Sequence, residues 1–211
     1  MTTKRKGSMT LDEADAQLKA EGKWDEFVAR REAQDKELAE RSARLRVEQA
    51  PLLADLGAVG LKVESVWDLV NTSAHYAEAV PVLLKHLLLP YSDRTREGIA
   101  RSLAVPEARG AWSTLVEEYR KAPSGIGIKG PGETKEGRLG TKDGLACALA
   151  ATATEKVMDQ LVALAKDRTL GISRVLLLSV LKKSKSATAK EAIKELVSDP
   201  DLKKEITSWR R

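Results

Sequence analysis

Apolar residues recur along this chain at a fixed long interval. Trp67, Ile99, Leu145 and Leu177 stand at equivalent points of four stretches, 32, 46 and 32 residues apart. Each opens a short helical face: Trp67, Val70 and Asn71; Ile99, Ser102 and Leu103; Leu145, Ala148 and Leu149; Leu177, Val180 and Leu181. Steps of three and four keep side chains on one side of a helix. A second column follows in the same register. It holds Ala79, Val80, Leu83, Leu84 and Leu87, then Ala111, Trp112, Leu115, Val116 and Tyr119, then Val157, Met158, Leu161, Val162 and Ala165. The fourth unit gives Ala189, Ile193, Leu196 and Val197, with Lys190 and Lys194 where the others are apolar. Two columns in one register predict stacked two-helix units, and the two lysines predict a terminal unit with a wet outer face.

The flanking pattern is different. Thr10 followed by Glu13 predicts a capping box opening a first helix that ends at Gly22. A long polar helix is expected from Trp24 to Gln49, with only Trp24, Phe27, Val28, Leu38, Leu45 and Val47 apolar. Pro51 is expected to start a new segment, punctuated by Gly57 and Gly60. At the other end, Asp199-Pro200-Asp201 breaks a helix and recaps a short last one, Leu202 to Trp209. The chain thus divides into a disordered tail over 1–8, an N-terminal helical segment over 9–60, and a repeat domain over 61–211. The longer middle interval contains a loop over 122–140, rich in glycine and expected to be mobile.

Composition sharpens this picture. The chain has 211 residues, 42% hydrophobic and 32% charged, and only 4% aromatic. Ala, Leu, Glu, Lys and Arg favour helix over sheet. The fold class is therefore all-α: an α-α superhelix of about four helix pairs after an N-terminal helical segment. The net charge is +5, with 36 basic and 31 acidic residues interspersed. The densest apolar run, Val175 to Leu181, is too short to span a membrane. Met1 to Gly7 is basic and polar, unlike a secretory signal, so a cytoplasmic location and no membrane partner are expected.

The residues Pro81-Val-Leu-Leu-Lys-His-Leu, Asp93-Arg-Thr-Arg96 and Gly98-Ile-Ala-Arg-Ser-Leu103 resemble a HEAT repeat. Arg96, Lys142 and Arg174 each stand seven residues before an inward leucine and resemble the HEAT basic ladder; Lys142 departs from arginine, and Glu64 breaks the pattern in the first unit. The resemblance covers roughly 62–197. It implies a short solenoid whose second helices line a concave surface, and HEAT proteins mostly act as scaffolds or adaptors for other proteins. A minority bind nucleic acid, and the HEAT-like alkylpurine DNA glycosylases are enzymes.

Candidate chemistry is sparse. His75 and His86 lie 11 residues apart, and neither has a metal ligand four residues away, so a helix-start residue and a partly buried surface residue are expected. Cys147, the sole cysteine, falls on an apolar helix side and is expected to act as a small hydrophobe. Trp112 falls in the core column. Gly125-Ile-Gly-Ile-Lys-Gly130 matches G-x-G-x-x-G, but a helix precedes it and Pro131 and Gly132 follow, so dinucleotide binding is rejected. Basic runs at Lys4-Arg5-Lys6, Arg30-Arg31, Lys182-Lys183-Ser-Lys185 and Arg210-Arg211 lack interleaved aromatics and read as solvated turns and termini.

Polar positions of the second helices would face the groove: Arg109, Ser113, Glu117 and Arg120, then Asp159, Ala163 and Lys166. Their mixed charge suits a protein better than a polyanion. The expected function is non-catalytic protein binding through the concave face, without a cofactor or metal. The alternative is nucleic-acid binding by a basic groove built from Arg96, Lys142, Arg174 and the fourth-unit lysines; an enzyme of the HEAT-like glycosylase kind would need an acid beside aromatics such as Trp112 and Tyr119.

Overall fold

Helix dominates the computed structural model, which describes residues 9–70 and 72–209, with 71% helix and 3% strand. The tail over 1–8, its Lys4-Arg5-Lys6 run, Asn71, and Arg210-Arg211 lie outside the described residues. The chain forms two compact units, Met1–Ala43 and Arg44–Arg211.

In the first unit, α1 (Leu11–Ala20) begins on the expected capping box. Glu13 N–H donates to Thr10 Oγ1, and Thr10 N–H donates to Glu13 Oε2. The helix stops before Gly22, whose φ of 66° favours glycine. No residue of α1 is buried. The following helix, α2 (Trp24–Ala58), starts here and continues into the second unit.

This overturns one boundary. Pro51 was expected to start a new segment, but it lies inside α2. The carbonyl that proline leaves unpaired belongs to Val47, a residue 76% exposed and so on a face open to water. The C-terminal part of α2, from Arg44, belongs to the second compact unit and is tied into it. Leu52 and Leu56 are buried. Glu48 accepts from the backbone and hydroxyl of Ser92. Gln49 Oε1 accepts from Val66 N–H and the Ser65 hydroxyl.

The second unit continues with α3 (Trp67–Val70), α4 (Val80–Leu87), α5 (Asp93–Ser102), α6 (Trp112–Lys121), α7 (Thr141–Thr152), α8 (Met158–Lys166), α9 (Leu178–Lys183), α10 (Ala187–Leu196) and α11 (Lys203–Ser208). The 3₁₀ turns Ala77–Ala79, Pro106–Ala111 and Glu155–Val157 lead directly into α4, α6 and α8, so these three helices share one local entry. The apolar columns face inward: Ile99, Leu145 and Leu177 are buried in one, Leu83, Leu115 and Leu161 in the other. Each such side chain contributes about 1.5–3 kcal/mol, so the columns outweigh any surface pair.

Helix α5 packs closely on α7, and α7 on the turns Arg168–Leu177. Glycine permits the first approach: a Cβ on Gly144 would lie 3.0 Å from both Ala100 Cβ and the Glu97 carbonyl oxygen. A Cβ on Gly98 would likewise sit 2.6 Å from Val66 Cγ1. Asp93, at the start of α5, accepts from Gly140 N–H at 2.9 Å and Thr141 N–H at 3.0 Å. One carboxylate therefore caps α7 from outside it, where free amides and the helix dipole favour an anion.

The loop expected to be mobile over 122–140 contains a short antiparallel hairpin. β1 (Ile126–Ile128) pairs with β2 (Glu136–Arg138), Gly127 opposite Gly137. Three long-range ties fix it: Arg94 N–H donates to Lys129 O, Lys129 Nζ lies 3.6 Å from Glu97 Oε2, and Arg44 Nε donates to Pro131 O. The Gly125–Gly130 pattern thus runs into a second strand, not a helix.

Asp93→Ala leaves the Gly140 and Thr141 amides uncapped. It is expected to lower unfolding free energy by about 1–2 kcal/mol, measured by urea titration with unchanged far-ultraviolet circular dichroism.

Candidate functional site

The residues expected on the second-helix face are all exposed: Arg109, Ser113, Glu117 and Arg120 beside or on α6, Asp159, Ala163 and Lys166 on α8. Charges of opposite sign alternate across them. Glu117 receives Lys121 Nζ at 2.6 Å, Arg120 reaches Asp167 at 3.5 Å, and Lys166 Nζ lies 2.6 Å from Glu195 on α10. Beneath this layer, Trp112 is buried at its expected core position, and its Nε1 donates to Gln160 Oε1 at 2.7 Å. Arg120–Asp167 and Lys166–Glu195 are partly exposed, so each stabilises by no more than about 1 kcal/mol.

The basic ladder has three different fates. Arg96 Nη2 pairs with Glu118 on α6 at 2.8 Å. Arg174 is fully buried. It donates to Asp199 at 2.9 Å, Asp201 at 3.0 Å and the carbonyls of Ala165 and Gly171. The bond from Arg174 holds the Asp199 carboxyl below the usual carboxylate range. Lys142 is 6% exposed, and its Nζ lies 5.8 Å from the Tyr119 ring centre. Burial pulls the Lys142 pKa below 10.5, against the weaker attraction of Asp167. The three rungs therefore do not form an open basic stripe: one is neutralised, one is sealed inside, and one is set back from the surface. In the fourth unit, Lys182 Nζ stacks 4.8 Å from the Trp209 ring, and Lys183 is exposed.

The two histidines are far from equivalent. His75 is exposed and meets Glu107 at 3.5 Å. His86, expected to be partly buried, is only 2% exposed. Its Nε2 lies 2.9 Å from Asp55 Oδ2 and its Nδ1 2.8 Å from the Tyr91 hydroxyl. This carboxylate–imidazole–phenol chain has the connectivity of a proton relay. Burial pushes the Tyr91 hydroxyl upward, with Glu48 and Asp55 adding to the shift, so it holds its proton. The chain serves to fasten the end of α2 to α4. The sequence offered no signal for it, because Asp55 and His86 are 31 residues apart.

A cleft of about 420 Å³ is lined by Thr72, His75, Arg101, Glu107 and Cys147 among others. Arg101 Nη1 lies 3.7 Å from Cys147 Sγ. Burial nevertheless pushes the Cys147 thiol upward, and His75 is engaged by Glu107, so the thiolate needed for nucleophilic attack is not favoured. Tyr119, paired with Ser173, is pushed up to about 12 by burial. Among the described residues, no group of three or more His, Cys, Asp or Glu side chains could hold a metal ion. No helix among them is long and apolar enough to cross a membrane. Comparison with protein-family models, curated proteins and solved structures gives no match.

Lys142→Met removes the cation of a residue only 6% exposed and keeps most of the length of its side chain. In chloride buffer at neutral pH it is expected to raise unfolding free energy by about 1 kcal/mol or more. The native pKa lies below the unfolded value, so the unfolded chain holds the proton more tightly between the two. Wild-type stability therefore rises with pH through that window up to about 10.5, and the advantage of Lys142→Met narrows there. Denaturation curves at several pH values measure both effects.

Proposed function

We propose that the second unit is a short HEAT-like solenoid that binds another protein, without catalysis, through the exposed face of its second helices. The fold part of this reading is supported by the common register of the two columns and by the repeated 3₁₀ entry into α4, α6 and α8. The concave surface expected of such a stack would place α6 and α8 at its centre.

The observation that carries the binding reading is the exposure of Arg109, Ser113, Glu117, Arg120, Asp159 and Lys166 on one set of helices. Charges of both signs alternate there. The exposed pairs add little to stability, so their arrangement is free to serve recognition. A protein surface with complementary charges would exchange these pairs for its own. The phosphates of a nucleic acid would meet Glu117 and Asp159 among the cations, and Arg96 and Arg174 are already matched by acids.

Affinity capture from native lysate with mass spectrometry identifies a partner, and titration calorimetry then compares wild type with the double variant Glu117→Lys/Arg120→Glu. The expected result is a loss of at least about tenfold in affinity at unchanged thermal stability. Unchanged affinity for the same partner would remove this face from the account.

A further inference from the structure

Lys142 is the one ladder rung without a counter-charge. Arg96 is closed by Glu118, and Arg174 by Asp199 and Asp201. One unit on from Glu118, in the same register, stands Leu164. Lys142 accordingly makes no hydrogen bond or ion pair with any described residue. Lys142 is only 6% exposed, so its ammonium keeps just part of its water, and a neutral side chain would be the cheaper solution for a purely structural rung.

Lys142 borders a cavity of about 130 Å³, whose walls include Ser124, Arg138, Asp143, Ile172 and Ser173. Arg138 Nη2 donates to Asp143 Oδ2 at 2.8 Å, so these two neutralise each other. The lining is left with one uncompensated positive charge. Ser124 adds a hydroxyl without a partner among the described residues. Ser173 already donates to the Leu170 carbonyl and shares a bond with Tyr119, so it shapes the wall. The volume holds roughly four water-sized groups, enough for a carboxylate and its adjoining carbon. Ile172 supplies an apolar side for that carbon. A doubly charged phosphate would exceed the single free charge and meet Asp143.

We propose that this cavity is a binding site for a single carboxylate, which pairs with Lys142 in the place that Glu118 fills for Arg96. Ser124 and the outer nitrogens of Arg138 complete the donor set. The carboxylate belongs either to a small free acid or to a peptide terminus. The site lies outside the α6 and α8 face, so it stands or falls independently of the proposed protein binding.

The test uses the full chain. Sodium acetate is titrated against sodium chloride at matched ionic strength, followed by amide shifts of Gly125, Lys142 and Gly171 and by thermal melting. Wild type is expected to show saturable shifts and a melting temperature that climbs with acetate concentration. Lys142→Met is expected to fold and to show neither. The absence of saturable shifts in wild type, or the same shifts in Lys142→Met, would overturn the site. Tighter binding of inorganic phosphate than of acetate would overturn its assignment to a monoanion. A short peptide with a free C-terminal carboxylate, run beside acetate, separates the two sources by which binds more tightly, and saturable binding of either supports the site.

Discussion

The close approach of α5 to α7 is the constraint on which the second unit depends. At Gly144 a Cβ would press on Ala100 Cβ and the Glu97 carbonyl oxygen, each 3.0 Å away, so a side chain there would push the helices apart. Once the two helices lie that close, the acids of α5 come within reach of everything around it. Asp93 caps α7. Glu97, almost wholly buried, gathers Arg94, Arg101 and Lys129. Through Lys129 the hairpin is drawn onto the same helix. The packing supplies most of the stabilisation, and the acids determine which segments share it.

From this follows the uneven fate of the basic rungs. Arg174 sits in a complete cage of two carboxylates and two carbonyls, which repays its burial. Arg96 reaches one carboxylate at the edge. Lys142 stands between them with neither. A ladder that would supply a basic groove in sequence terms is thus consumed internally at two rungs, and its third opens on a cavity. Helices α6 and α8 carry mixed outer charge separately, at Glu117, Arg120, Asp159 and Lys166.

Much of the helical architecture was legible because it is periodic. The capping box at Thr10 and the burial of Ile99, Leu145, Leu177, Leu83, Leu115 and Leu161 follow from local spacing and hydrophobic burial alone. What escaped is long-range. Pro51 reads as a break, yet the bond it forfeits lies on a wet face and costs little. The hairpin reads as a loose loop, because three-residue strands rich in glycine give no pattern and their order comes from Arg44, Arg94 and Glu97 far away in sequence. The fastening of His86 to Asp55 and Tyr91 depends on how α2 lies against α4. The unmatched Lys142 was readable in principle: Leu164 stands in register with Glu118. That signal only acquires meaning once the Arg96–Glu118 pair is seen.

Native-state hydrogen exchange tests the central claim, that α5 organises its neighbours into one cooperative body. The decisive amides are Gly140 and Thr141, capped by Asp93, and Arg94, bonded to the hairpin at Lys129. The account predicts that all three exchange as slowly as the core amides of α5 and α7, through global unfolding. Exchange of these amides at the rate of an open loop, while α5 stays protected, would contradict it.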